Sequence, residues 1–376
     1  MRARIVLLAA IVASLTASSA AAQPTTPDGY RLAVPGWVFE FPRDHGTHDE
    51  FRTEWWYFTG HLRSAAGRRY GFEVTFFRVG AAGPQAAGEA TAWDLRNVSL
   101  AHFAITDVGG RRFRYYEKLN RSTPFLAGAK AGFLHVFNEG WSATAAADGS
   151  WRLLAREGAD AIDLRLRLEK PPAIHGRDGI SVKAAGEGNA SHYYSITRLS
   201  AEGTVDAGGR RETVRGQAWM DHEFGSAMLR EHQSGWDWFS FQFDNDTELM
   251  LYVIRRSDGT ADVTSSGSIV LADGRVIHLE RGDFSVAPRG RWKSAKSGAT
   301  YPMGWRVRVP KFDIELDVRE LMKDQELVTT KSTQVTYWEG SVDATGRSGG
   351  TLVRGEGYVE MTGYDKPISD RAAGSR

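Results

Sequence analysis

The chain has 376 residues, room for two domains at roughly 150 residues each, and its 47 Lys and Arg residues nearly balance 46 Asp and Glu. That balance excludes the basic surface that nucleic acid or an anionic membrane would demand, so recognition by shape and apolar contact is expected. The 41 glycines, 12 tryptophans and scarcity of helical patterns point to an all-β protein with many turns, and the absence of cysteine rules out disulfides and a cysteine-linked lipid.

Residues 1–22 read as an address. Arg2 and Arg4 precede the apolar run 5–13, and Ala20-Ala21-Ala22 supplies small residues before Gln23, the pattern of a secretory signal peptide cut after about Ala22. The run is shorter than the roughly 20 apolar residues of a spanning helix. The mature chain is therefore expected to lack an integral membrane segment and to be secreted or periplasmic.

Residues 30–52 are rich in Pro and aromatics without a period and read as an ordered lead-in. The stretch Glu54-Trp55-Trp56-Tyr57-Phe58-Thr59-Gly60-His61-Leu62 follows as a strand, with Glu54, Trp56, Phe58 and Leu62 on one face and Trp55, Tyr57, Thr59 and His61 on the other. Rings on both faces require two apolar layers, such as a core and the wall of a cavity, because each ring buries about 150–250 Å². Ala65-Ala66-Gly67 then forms a hairpin into residues 69–78, where Tyr70, Phe72, Val74 and Phe76 alternate with Gly71, Glu73, Thr75 and Phe77. A small-residue loop over 80–88 leads to strands expected at 98–106, 112–119, 134–137, 141–145 and 151–156. Ile162, Leu164, Leu166 and Leu168 alternate with Asp163, Arg165, Arg167 and Glu169 in a half-exposed antiparallel strand ended by Pro171-Pro172.

Further strands at 192–199 and 214–219 pair around Gly208-Gly209. Strands at 236–243 and 248–255, at 268–271 and 276–279, at 305–309 and 312–318, and at 333–342 and 351–362 complete the chain, and only 319–326 reads as a short helix. Short strands at regular spacing predict two antiparallel barrels or curved sandwiches side by side.

Gly346-Arg347-Ser348-Gly349-Gly350 spells a nucleophile elbow, but a strand follows it where the motif needs a helix, so a hairpin loop is expected. Neither the dinucleotide fingerprint nor the phosphate-cradling loop occurs, and no cofactor is expected. His45, His48 and Asp49, or Asp221, His222 and Glu223, have the residue types of metal ligands; strand neighbours point to opposite faces, so the second trio does not converge and no metal is expected.

The stronger pattern is acid among aromatics, in Gly216-Gln217-Ala218-Trp219-Met220-Asp221-His222-Glu223-Phe224-Gly225 and Gly235-Trp236-Asp237-Trp238-Phe239. A carboxyl in a desolvated, indole-lined site keeps its proton to higher pH and donates it, while ring faces stabilise the cation left on an alkene carbon. Asp221 or Glu223 as proton donor, with His222 or Tyr57 assisting, fits that chemistry. Glu54, Trp55, Trp56, His61, Trp219, Trp236 and Trp238 are the expected ligand-binding residues. The other reading is structural: tryptophans fill cores, and an acid beside them pairs with an arginine to hold two sheets together.

The strand 54–62, the strand around Gly71-Phe72-Glu73-Val74, the block from Tyr193-Tyr194-Ser195 to Gly225, and the closing Tyr337-Trp338-Glu339-Gly340 and Gly357-Tyr358-Val359-Glu360 resemble the AttH and carotenoid 1,2-hydratase (CrtC) family. The resemblance implies two lipocalin-like β-barrel domains, placed at 23–225 and 226–366 between the signal peptide 1–22 and a polar tail 367–376. Members described as hydratases add water to an isolated double bond of an apolar polyene without a cofactor; AttH-like members are secreted proteins encoded with export systems, sometimes labelled predicted hydrolases. The signal peptide sides with the AttH-like branch. Three functions follow: a secreted protein binding an apolar or amphipathic small molecule of lipid or isoprenoid type; a hydratase-like lyase or hydrolase acting on such a molecule; or an accessory subunit of an ABC-type export complex.

Overall fold

The computed structural model describes residues 23–83, 95–227 and 229–368. Residues 1–22, where a signal peptide is expected, part of the loop at 80–88 and the tail from 369 lie outside the described residues. The protein is all-β, built from two antiparallel sheets. The first holds β1 (Thr53–Ser64), β2 (Arg69–Gly80), β3 (Asn97–Asp107), β4 (Arg112–Arg121), β5 (Ala127–Ala129), β6 (His135–Asn138), β7 (Trp141–Ala145), β8 (Trp151–Glu157), β9 (Asp160–Leu168), β10 (Ala173–Ile174), β11 (Ile180–Val182), β12 (Ala190–Ala207) and β13 (Arg210–Gly225). The second holds β14 (Gln233–Phe243), β15 (Glu248–Arg256), β16 (Ser266–Val270), β17 (Val276–Glu280), β18 (Ser285–Lys293), β19 (Thr300–Val309), β20 (Ile314–Glu320), β21 (Glu326–Val328), β22 (Thr336–Ser348) and β23 (Thr351–Thr362).

The first sheet runs β4-β3-β2-β1-β13-β12-β9-β8-β7-β6-β5 and curls into a nearly closed barrel. Its ends meet through side chains: Asn138 Nδ2 donates to the Ser99 carbonyl at 3.1 Å, and Asn120 Nδ2 to Asn138 Oδ1 at 2.7 Å. The second sheet runs β17-β16-β15-β14-β23-β22-β20-β19-β18 and is a half-barrel. Each sheet buries one face in its own core. Trp56, Phe58, Leu62, Phe72, Leu164 and Met220 fill the first, and Phe239, Leu251, Trp305, Leu316, Trp338 and Val359 the second. The lead-in 23–52 closes one end of the first barrel, where Phe51 and the partly buried Trp37 and Phe39 pack on Phe224.

The expected turns form where glycine tolerates positive φ: Gly67 (76°) joins β1 to β2, and Gly349 (56°) with Gly350 (77°) joins β22 to β23. Ser348 therefore sits in a hairpin, paired with Thr351. The helix expected at 319–326 does not form. Arg319 and Glu320 extend β20 against Asp343 and Val342, and Glu326 starts β21 against Trp338, because ladder partners override a weak local propensity. Strand β18 was not expected; Ser285-Val286-Ala287-Pro288-Arg289 has no apolar alternation, and β18 is an exposed edge that tolerates Pro288.

Candidate active site between the two sheets

Alternation along the strands decides which side chains enter the layer between the sheets. From β1, Trp55, Tyr57, Thr59 and His61 turn away from the barrel core. Register sets Trp55 beside Glu223 and Phe77, Tyr57 beside Asp221 and Thr75, and Thr59 beside Trp219 and Glu73. The facing sheet places Trp238 beside Glu360 and Glu360 beside Glu339. The faces interlock: Tyr57 Oη donates to Glu339 Oε1 at 2.6 Å, Trp238 Nε1 to Tyr193 Oη at 3.1 Å, and His61 Nε2 bonds the Gly357 carbonyl at 2.8 Å. Trp238 meets Tyr57 and Trp219 edge to face, at 5.3 Å and 6.1 Å. The expected indole-lined hollow is thus a closed aromatic layer, with the partly buried Trp55, Trp236 and Tyr252 as its rim.

Four carboxyl groups stand in the layer, Glu73, Asp221 and Glu339 buried and Glu360 partly so; none forms an ion pair among the described residues. Asp221 Oδ1 accepts from Trp219 Nε1 at 2.6 Å and from Ser195 Oγ, and its Oδ2 from Tyr193 Oη at 2.8 Å. Glu360 Oε2 accepts from Trp236 Nε1 at 3.0 Å. Glu339 and Glu73 each keep Oε2 buried with no hydrogen-bond partner, after Tyr57 and Thr75 have donated to Oε1. A carboxylate loses its hydration here and gains no cation, so the neutral acid is favoured. Burial pushes Asp221 and Glu360 up to about 7 and Glu73 to about 8. It raises Glu339 well above the usual carboxylate range too, helped by the neighbouring Glu360 and Glu73.

A hydrogen-bonded chain stands behind Asp221. Ser195 Oγ lies 2.7 Å from His175 Nε2, and His175 Nδ1 lies 2.9 Å from Ser268 Oγ on the other sheet. Burial lowers His175 to about 3, so its ring is neutral at physiological pH. Cations stay at the margins of the layer, where Lys170 and Arg198 meet Glu248 at 2.8 and 2.6 Å, Arg69 meets Asp343 at 2.5 Å, and Lys183 meets Glu223 at 2.7 Å.

Of the residues singled out from the sequence, Trp55, Tyr57, His61, Trp219, Asp221, Glu223, Trp236 and Trp238 come together here. Glu223 is held as the partner of Lys183 and Ser191, unlike the four unpaired acids. Glu54, Trp56 and His222 point to the opposite face. There His222 Nε2 and His48 Nδ1 each bond Glu54 Oε1 at 2.8 Å, Arg78 Nε meets Glu54 Oε2 at 3.0 Å, and His48 Nε2 reaches Asp44 Oδ1 at 3.1 Å. Burial opposes the charge on Glu54, but Arg78, His222 and His48 hold its carboxyl well below the usual range. His48, against its burial, is raised to about 9 by Asp44 and Glu54. The ligand atoms of His48, Glu54 and His222 lie within 4.8 Å of one another, and both ring nitrogens of His48 face carboxylate oxygens, so a metal there would have to displace a His48 proton. This cluster reads as architecture.

The sequence reading missed Glu73, Glu339, Glu360, Ser195 and His175. A signal existed for three of them: Glu73 interrupts the apolar run of β2, and Glu339 and Glu360 alternate with Trp338 and Val359 on strands whose other face is core. Ser195 and His175 carry no such pattern; only the pairing of β10 with β12 brings them together.

Residues 32–364 match the AttH-like family, and the chain belongs to it. The crystal structure of a candidate AttH protein from Nitrosomonas europaea is 32% identical, covers 88% of this chain and 98% of its own, and superposes with a TM-score of 0.78. Kievitone hydratase from Nectria haematococca shares the fold at 16% identity, covering 92% of this chain and 99% of its own, with a TM-score of 0.67. The dehydratase asqC of Emericella nidulans is 19% identical over 278 residues, 69% of this chain and 75% of that protein.

Proposed function

Taking the chain as an AttH-like protein, we propose that the interdomain layer binds an apolar small molecule and adds water to, or removes it from, one of its carbon–carbon bonds without a cofactor. The observation that carries this reading is the set of four carboxyl groups held among rings with no cation. Relatives whose names denote a hydratase and a dehydratase lend support. In the hydration direction, protonated Glu339 gives its proton to an alkene carbon through the unpartnered Oε2. The electron-rich faces of Trp219, Trp238 and Tyr57 stabilise the resulting cation. Water adds to the cation, and its released proton passes to Asp221 in its ionised form, which is present once the pH reaches about 7, backed by Ser195 and His175. Dehydration is the reverse, and transfer of the proton from Asp221 back to Glu339 resets the site. Export remains part of the proposal, resting on residues 1–22.

The test incubates the protein with squalene or lycopene in isotopically labelled water and follows label in the alcohol formed. Asp221→Asn and Glu339→Gln are expected to lose about 10²–10⁴-fold in rate, the usual worth of a general acid, while still binding the alkene. No labelled product from the wild-type protein, or undiminished label uptake by both variants, contradicts the assignment.

A further inference from the structure

The half-barrel holds a cavity of about 560 Å³, lined by Asp237 on the face of β14 opposite Trp236 and Trp238. Val253, Phe284, Val286, Pro302 and Trp305 form its apolar wall. Its volume falls in the roughly 300–1,000 Å³ range of small-molecule sites. It opens where the sheet is incomplete: β17 and β18 are neighbours in sequence, joined through the short turn Arg281–Asp283, yet they are the two ends of the strand order and do not pair. Arg281, Phe284, Val286 and Pro288 at this seam also line the cavity, so an elongated guest can enter sideways between two strand edges.

The polar groups are few and mostly cationic. Arg255, Arg281 and Arg291 line the cavity against a single acid, Asp237. Arg281 and Arg291 form no ion pair among the described residues. Arg255 stacks on Tyr364 with its guanidinium carbon 3.7 Å from the ring centroid. Its Nε, 3.2 Å from Asp237 Oδ1, is buried with no hydrogen bond, since proximity here comes without alignment. Asp237 is also bonded by Tyr364 Oη, at 3.1 Å from both carboxylate oxygens. Three arginines against one acid around an apolar chamber match an anionic headgroup on a long apolar body.

We infer that the half-barrel cavity is a second binding site, separate from the acid layer, that takes a long-chain carboxylate with its chain against Trp305 and Phe284 and its headgroup at Arg255. Nothing in this depends on the chemistry proposed for the acid layer. The test is oleate titration of the full chain, with oleyl alcohol as the uncharged comparator. Oleate is expected to bind at least about tenfold more tightly than the alcohol, and Arg255→Gln to erase that preference. Val253→Trp, which fills the chamber, is expected to abolish oleate binding, whereas Glu339→Gln leaves it unchanged; near-ultraviolet circular dichroism verifies that each variant is folded. Equal affinity for acid and alcohol, oleate binding that survives Val253→Trp, or loss of binding in Glu339→Gln overturns the inference.

Discussion

Glu54 and Tyr57 are three residues apart on one strand, and each leads into a buried cluster of acids, on opposite faces of the same sheet. On the core face, Glu54 is surrounded by Arg78, His48 and His222, every charge has a partner, and the carboxyl stays ionised. On the face toward the second sheet, Glu73, Asp221 and Glu339 have hydroxyls and indoles for neighbours and keep their protons toward neutral pH. Burial is common to both. The nearby cation separates them: an acid with one ties the lead-in to the barrel, and an acid without one is a reserve of transferable protons.

Removing an acid from each face breaks this comparison most sharply. Glu54→Gln takes from buried His48 one of its two carboxylate partners and from buried Arg78 its buried one, and is expected to cost about 3–5 kcal/mol in urea unfolding near neutral pH. Glu73→Gln is expected to do the opposite as pH rises. The Glu73 pKa is raised to about 8 in the folded protein, against roughly 4.3 unfolded, so between those values the native state binds more protons than the unfolded state and ionisation works against folding. Relative to wild type, the variant should gain stability with increasing pH across that window, by at most about 1.4 kcal/mol per pH unit; a difference independent of pH would mean that Glu73 is already ionised. Glu54 follows the reverse sign, its contribution present above the unfolded value and lost in acid as the pH falls through its lowered pKa. A smaller effect is expected for Trp238→Phe, which keeps a ring but deletes the bond to Tyr193 Oη, at about 1 kcal/mol in the same unfolding assay. Least of all, Arg69→Ala at the partly exposed margin should change stability by about 0–1 kcal/mol, since solvent screens its pairs with Asp343 and Glu356.

Much of the fold was legible because its strands obey a period of two. The alternation at 162–169 and the double-sided rings at 54–62 marked strands, and the second pattern also required a layer on each face. Edge strand β18 was not legible, because an exposed ribbon has no apolar stripe to betray it. At the site, parity along β13 put Asp221 and Glu223 on one face, yet the sequence reading still set His222 beside them as an assisting group, and the structure turns it to Glu54 on the opposite face. Parity could not show that Lys183 neutralises Glu223, or that Glu339 arrives from the other sheet to meet Tyr57, a contact spanning 282 positions. Glu54 stood beside two tryptophans and looked like part of the site; the histidine and arginine that claim it lie on the lead-in and on β2.

The protonation state of the acid layer itself is the most direct measurement. Infrared spectra of the full chain, with Asp221→Asn and Glu73→Gln as assignments, should show neutral carboxyl bands at about pH 6 that fade as the pH passes about 7 to 8, each band missing from its own variant. Spectra in which every carboxyl group is already ionised at that lower pH would contradict the account.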